Sequence, residues 1–247
     1  MPKFFIKSNQ IKNNKISIIG EDVNHIANVL RKQIGEELNL CNIDTSDNFL
    51  CKIESIGKES IECLILDKHS AIAEPKIDIT IFQGLPKAEK MEFIIQKCTE
   101  LGAKEFVPVE MERCIVKMDK KSSAKKIERW QKVAETAAKQ SGRDIIPKVE
   151  NLINFKNLLN LIEKYDIVLL AYENEKNNTI KNVLKNIEKQ ANLKKIGAII
   201  GPEGGIAVDE ACKLQEAGAI PVSLGNRILR TETAGMAITN IITYEFE

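Results

Sequence analysis

A chain of 247 residues, 43% hydrophobic and 29% charged, has the composition of a soluble globular protein, which excludes a disordered, collagen-like or fibrous one. The length suits two domains of ordinary size. Thirty-six basic against thirty-five acidic residues leave a formal charge of +1, so a nucleic-acid surface would have to be local.

Between residue 4 and about residue 66 the apolar pattern is short and strand-like, over residues 4–6, 16–19, 38–41, 49–53 and 60–65. Turn signals separate these runs, among them Gly35-Glu36, Thr45-Ser46-Asp47-Asn48 and Gly57-Lys58. One short helix interrupts them, with Val23, Ile26, Val29 and Leu30 at helical spacing behind Glu21 and Asp22, acids suited to a helix start. Residues 1–70 are therefore expected as a small β-barrel. Residues 71–77, aperiodic and containing Pro75, are expected as a linker.

From residue 78 to 247 the grammar changes. Strands are expected near residues 77–82, 105–109, 167–171, 196–200 and 220–224. Helices alternate with them: Met91, Ile94, Ile95, Cys98 and Leu101 closed by Gly102; Ile127, Trp130, Ala134, Ala137 and Ala138 stopped by Gly142; residues 155–162, 180–187 and 208–216; and a last helix with Ala234, Ala237, Ile238, Ile241 and Ile242. The run Ile167-Val168-Leu169-Leu170-Ala171 is what a strand buried on both faces requires. The fold class is thus α/β with a parallel sheet covered on both sides.

Ligands in open α/β sheets bind beyond the carboxyl ends of strands, so the turns after strands are the informative positions. Three stand out: Ala171-Tyr172-Glu173-Asn174, Gly201-Pro202-Glu203-Gly204-Gly205, and the segment from Gly225 to Ala234. The second has three glycines in five residues, which lets backbone approach a ligand closely, but it matches no dinucleotide or phosphate-loop pattern. It also fits a plain tight strand-to-helix turn. The third carries Arg227 and Arg230, two of only six arginines in the chain, ahead of Thr231-Glu232-Thr233; it also fits a helix start capped by Thr231.

These two segments, GPEGG at residues 201–205 and LGNRILRTETA at residues 224–234, resemble the signature of the SPOUT-class ribosomal RNA methyltransferases that methylate N3 of a uridine in 16S rRNA. The similarity extends to Phe4-Phe5, to His25 with Val29-Leu30-Arg31, to the stretch from Lys87 through Gly102, to Glu128-Arg129-Trp130, and to Gln140-Ser141-Gly142-Arg143 with Pro147. The resemblance implies a PUA-like RNA-binding barrel at residues 1–70 and, at residues 78–247, a SPOUT methyltransferase domain with a deep trefoil knot. It also implies a homodimer, 16S rRNA or the small ribosomal subunit as partner, and S-adenosyl-L-methionine as cofactor. The cofactor residues it implies are Leu170, Ala171, Tyr172 and Glu173; Ile200, Gly201, Pro202, Glu203, Gly204 and Gly205; and Leu224, Gly225, Ile228, Leu229, Arg230, Thr233 and Ala234. Lys3, His25, Arg31, Lys87, Arg129 and Arg143 are its candidates for RNA contact. Two departures stand out. Ile206-Ala207 follow the double glycine where an aromatic and a Ser or Thr are usual, which removes a side-chain cap at a cost of about 1 kcal/mol. Lys3 and Lys7 stand where Arg is usual, and Lys cannot form a bidentate phosphate fork.

Uridine N3 is a poor nucleophile until its imide proton leaves, so the chemistry needs a base for the proton and a cation for the uracil anion. Arg230 suits the second role, and Glu232 is a candidate base or orienting carboxylate, a position that equally suits a helix dipole. Residues 112–132 hold eight basic and three acidic side chains, and Lys3, Lys7, Lys12 and Lys15 face no acid within the first twenty residues. Such runs fit an RNA platform and also an ordinary solvated face. His25 also reads as a plain helix residue. A second function class, a non-catalytic rRNA-binding or ribosome-assembly protein, would keep these patches without turnover. The opening residues carry no secretory h-region and no membrane span is long enough, so a cytoplasmic, membrane-free location is expected. Six cysteines without a C-x-x-C pair and only two histidines point to reduced thiols and no metal.

Overall fold

The structure, a computed structural model, describes residues 2–187 and 193–247. It divides into two compact units: the chain through Glu74 together with Ala138–Ile146, and Pro75–Ala137 together with Pro147–Glu247.

The first unit holds strands β1 (Lys3–Ile6), β2 (Ile11–Lys12), β3 (Lys15–Ile19), β4 (Glu37–Asn42), β5 (Asn48–Ile56) and β6 (Ser60–His69), with a short helix α1 (Glu21–Asn24) running into one π turn (His25–Val29). The sheet order is β1-β4-β5-β6-β3-β2. All ladders are antiparallel except β1 on β4, where Phe4 lies opposite Leu40. Alternate residues turn inward, so Phe4, Ile6, Ile16, Ile18, Leu38, Leu40, Ile53 and Ile61 form one core. Asn13 and Asn14, both at positive φ, close the β2–β3 hairpin, the conformation that matches strand twist and that Asn tolerates.

Residues 71–74, expected as part of a linker, are held inside this unit. The Asp144 carboxylate accepts the N–H groups of Ile72 and Ala73 at 2.8 Å each and pairs with Lys3, while Arg143 Nε donates to Glu74 Oε1 at 2.9 Å. The barrel segment is therefore completed by residues from much later in the chain.

The second unit contains β7 (Asp78–Gly84), α2 (Lys90–Glu100), β8 (Glu105–Glu110), α3 (Lys120–Ser141), β9 (Lys148–Val149), β10 (Ile153–Asn154), α4 (Phe155–Leu159), β11 (Ile167–Ala171), α5 (Ile180–Ile187), β12 (Lys195–Ile200), α6 (Val208–Glu216), β13 (Ile220–Val222) and α7 (Thr231–Phe246). Its sheet runs β10-β8-β7-β12-β11-β13, with β9 also on β8, and every ladder is parallel. Ile79, Ile81, Phe82, Leu169, Leu170, Ala198 and Ile199 are buried among helices, which is why these strands read as continuous apolar runs. The last turn of α3 is counted with the first unit.

Some expected elements differ in their bounds, and the short strands β2, β9 and β10 were not expected. α3 starts at Lys120, ahead of its apolar periodicity, because Asp119 Oδ1 accepts the Ser122 N–H at 2.7 Å and caps a polar first turn. The helix expected at residues 155–162 stops at Leu159 and resumes as a 3-10 turn at Ile162–Lys164. β13 ends at Val222, two residues early, with Ser223 bridged singly to Thr179. Among the described residues, no helix is long and apolar enough to cross a membrane.

Candidate active site

The central strands β7 and β12 lie side by side, with β8 beyond one and β11 beyond the other, and the crevice outside their carboxyl ends is where such a sheet opens to a ligand. The turns that leave β11, β12 and β13 converge there with the start of α2 around a cavity of about 810 Å³. That size is in the ~300–1,000 Å³ range of cofactor sites.

The three turns singled out in the sequence thus come together. Ala171, Tyr172 and Glu173 wall one side; Ile200, Gly201, Pro202, Glu203, Gly204 and Gly205 another; Leu224, Gly225, Ile228, Leu229, Arg230 and Ala234 the third. Leu170 sits one residue too deep, fully buried within β11, and Thr233 lies half-buried on α7 away from the cavity wall. Glu232 also does not line the cavity. Lys90, Glu175, Lys176, Arg227 and Thr231 do, and no local pattern marked Lys90 or Lys176, since single lysines in polar segments read as solvated.

The glycines are there for backbone proximity. A Cβ on Gly84, at the end of β7, would stand 2.7 Å from Pro202 Cδ, and one on Gly201 would stand 2.7 Å from Ile206 Cγ1. At Gly205 (φ +71°) a Cβ would run into the Glu173 carboxylate. Gly225, at φ +122°, has open space where a side chain would begin and lines the cavity. Exposed peptide edges, apolar side chains (Val222, Leu224, Leu229) and the carboxylates Glu173, Glu175 and Glu203 make a wall suited to a neutral heterocycle and a cationic centre. These residues therefore fit a sulfonium nucleoside.

A buried polar link holds the turn in place. Gln83 Nε2 donates to Thr231 Oγ1 at 2.8 Å and to the Gly84 carbonyl at 2.9 Å, and Thr231 Oγ1 donates to the Gly201 carbonyl at 2.7 Å. Thr231 is therefore not the helix cap that the segment also allowed. Arg230 holds the cap position with no side-chain bond, and Thr231 is the first helical residue, turned inward to the β12 turn. Ala207 precedes α6 at the cap position and makes no side-chain bond.

The charged groups fall in two sets. Lys90 Nζ lies 3.0 Å from Glu203 Oε1 and 3.4 Å from Glu232 Oε2, and the Lys87 N–H donates to Glu203 Oε1 at 3.0 Å. Burial pushes the Glu203 carboxyl up, but that N–H and the Lys90 ammonium bring it below the usual range; Glu203 in turn holds the Lys90 ammonium above its usual value. On the other side Arg113 Nη1 donates to the Gly204 carbonyl at 3.0 Å, and Glu210 Oε1 accepts the Glu112 N–H at 2.9 Å. Burial raises the Glu210 carboxyl. Arg227 and Arg230 are both exposed on the cavity rim.

The candidate RNA contacts divide by environment. In the first unit Arg31 is exposed, at φ +53°, and His25 is half-buried with its ring edge-on to Phe4 at 5.8 Å. Lys3 and Arg143 are instead committed internally: Lys3 pairs with buried Asp144, and Arg143, 3% exposed, forks onto Glu74. In the second unit Lys87 and Arg129 are exposed, Arg129 pairing with Glu92 at 2.9 Å. All six cysteines are free, with Cys212 exposed and the rest buried.

Comparison with known proteins gives this geometry a context. The chain matches the model of an RNA methyltransferase domain over residues 73–243 and that of an RNA methyltransferase PUA domain over residues 18–66. It is 37% identical over 235 residues to the ribosomal RNA small subunit methyltransferase E of Bacillus subtilis, covering 94% of this chain and 90% of that protein. The protein of the same name from Buchnera aphidicola is 32% identical over 252 residues, with 98% of this chain and 93% of that protein covered. A crystal structure of a ribosomal RNA small subunit methyltransferase E from Neisseria gonorrhoeae, bound to S-adenosyl methionine, superposes with a TM-score of 0.85 at 28% identity, covering 99% of this chain and 97% of that one.

Proposed function

The chain belongs to the RNA methyltransferase family, and from that premise we propose that it is an S-adenosylmethionine-dependent methyltransferase acting on N3 of a uridine in 16S rRNA of the small ribosomal subunit. The observation that carries the reading is the convergence of three glycine-bearing turns on one cavity with peptide edges, apolar walls and carboxylates, rimmed by Arg227 and Arg230. When bound there, S-adenosylmethionine supplies an electrophilic methyl group on a sulfonium. The backbone of residues 201–205 and 224–229 grips the nucleoside, and Leu224 and Leu229 exclude water from it.

The chain's own side chains do the rest. Arg230, always cationic, faces the uracil carbonyl oxygens and stabilises the anion that forms as the imide proton departs. Glu232, set behind the cavity wall and paired with cavity-lining Lys90, receives that proton through an intervening water, so the net change in the RNA is one N–H replaced by one N–methyl. With the base deprotonated, alignment supplies most of the remaining rate. The exposed cations of the second unit guide the RNA, and a stacked base is extruded or caught in a single-stranded stretch to reach the cavity. The family also supports a homodimer, a cytoplasmic location beside its ribosomal substrate, and a knotted path. For the knot, the support is the return of α7 from edge strand β13 to pack on α2.

Arg230→Ala tests the assignment directly: single-turnover methylation at saturating cofactor should fall about 10²–10³-fold. A near-normal rate would remove Arg230 from the mechanism. A non-catalytic rRNA-binding protein would show no calorimetric binding of S-adenosylmethionine, and mass mapping of 16S rRNA from a deletion strain would then show no lost methyl.

A further inference from the structure

The chemistry outlined above gives Lys90 no task, yet three features set this residue apart. It opens α2, where a cation meets the positive end of the helix dipole and an acid would be the favourable choice. Two residues earlier Ala88 holds φ at +54°, a left-handed conformation that strains any residue with a Cβ. And its ammonium lines the cavity between two carboxylates from different elements, Glu203 on the turn after β12 and Glu232 in the first turn of α7. Strain in the loop and an ill-placed cation are tolerated together because they deliver one group to one point.

Burial distinguishes this arrangement from a surface ion pair. The side chains of Lys90, Glu203 and Glu232 are 29%, 25% and 17% exposed. Glu232 Oε2 is shut off from solvent and makes no hydrogen bond among the described residues, so Lys90 is the cation it faces. Without the ammonium, two half-buried carboxylates, one on the cavity wall and one behind it, would have no opposite charge between them. Their repulsion would drive one out of place.

We propose that Lys90 is the positioning residue of the methyl-transfer site, fixing the Glu232 carboxylate where the imide proton must go and tying it through Glu203 to the turn that holds the cofactor. The proposal rests on the methyltransferase reading above. Lys90 acts through the two carboxylates, so the barrier to methyl transfer depends on it more than cofactor affinity does.

Lys90→Met keeps the stem and loses the charge; Lys90→Arg keeps the charge. With saturating S-adenosylmethionine and small-subunit rRNA as substrate, the Met variant should lose about 100-fold in single-turnover rate, and the Arg variant should recover to within about tenfold of wild type. Calorimetric affinity for S-adenosylmethionine and the melting temperature of the ligand-free protein should stay close to wild type in both. A wild-type rate in Lys90→Met overturns the proposal. So does a loss that Lys90→Arg fails to relieve, or one that tracks falling melting temperature or cofactor affinity, as a mere helix anchor would give. If Lys90→Met does not fold, adding it to Glu203→Gln removes the like-charged pair: a further large rate loss over Glu203→Gln alone supports positioning of Glu232, and equal rates refute it. A wild-type protein that neither binds the cofactor nor transfers a methyl sinks the methyltransferase reading and this proposal together, whereas an active wild type indifferent to Lys90 sinks the proposal alone.

Discussion

A Cβ on Gly84 would meet Pro202 Cδ at 2.7 Å and the Pro202 backbone nitrogen at 2.8 Å, so the end of β7 and the turn after β12 can be as close as they are only while residue 84 has no side chain. Gly84→Ala should push the 201–205 turn outward, costing about 1–3 kcal/mol and lowering calorimetric affinity for S-adenosylmethionine roughly tenfold. An unchanged affinity would mean the turn can yield without loss. Glu210 offers a test of sign. Burial raises its carboxyl, so the fold disfavours the ionised form and is penalised once pH climbs past the ordinary carboxylate range; below that range the group is protonated in both folded and unfolded chains. Glu210→Gln should therefore raise the melting temperature at pH 8 by roughly 2–4 °C, with the gain vanishing on acidification toward pH 4. A gain that persists in acid would point to packing instead. Residue identity announced the glycine turns and Arg230, because only certain residues suit such positions. It could not announce Arg143 or Lys90. Both are defined by partners 69 and 113 or more residues away, Glu74 for the first and Glu203 with Glu232 for the second, and a lone Arg or Lys looks the same whether it faces RNA or a buried carboxylate.

At the level of elements, long periodic segments were legible and short ones were not. β11 and β12 read as strands because both faces are buried, and α2 as a helix because its apolar stripe ends at a glycine. β9 and β10, two residues each, carry no periodicity to read; β8 alone defines them. α3 shows both cases. Trp130, Ala134 and Ala138 gave its buried face, whereas its polar start depended on one aspartate cap. Its outer face carries Lys121, Lys125, Arg129 and Lys132, all exposed and recurring at helical spacing. Reversing Lys121, Lys125 and Lys132 to Glu should leave melting unchanged and flatten the dependence of log rRNA affinity on log salt by about one unit for each phosphate no longer neutralised. An unaltered slope would make this an ordinary solvated face.

On the scale of the molecule, the first unit is not a contiguous stretch of sequence. Asp144 has no exposed surface and gathers Lys3 and the N–H groups of Ile72 and Ala73. Burial alone would raise its carboxyl, but Lys3 and those N–H groups bring it below the ordinary value, so its stabilising effect is present above the unfolded carboxylate range and is lost as pH falls through the depressed value. Asp144→Ala should cost about 3–5 kcal/mol in the first unit, because it strands a largely buried ammonium, and should blunt the loss of stability in acid. Denaturant melts of the two proteins at pH 7 and pH 3 check both statements.

That hub also sets a timetable. A ribosome making this chain delivers every strand of the first sheet by residue 69, yet the group that fastens β1 and residues 72–74 emerges only about 70 residues later, after several seconds at ~5–20 residues per second. For that interval the nascent sheet carries Lys3 without its partner, and a truncated product ending before Asp144 would never obtain it. Synthesis thus finishes the amino-terminal unit from the middle of the message.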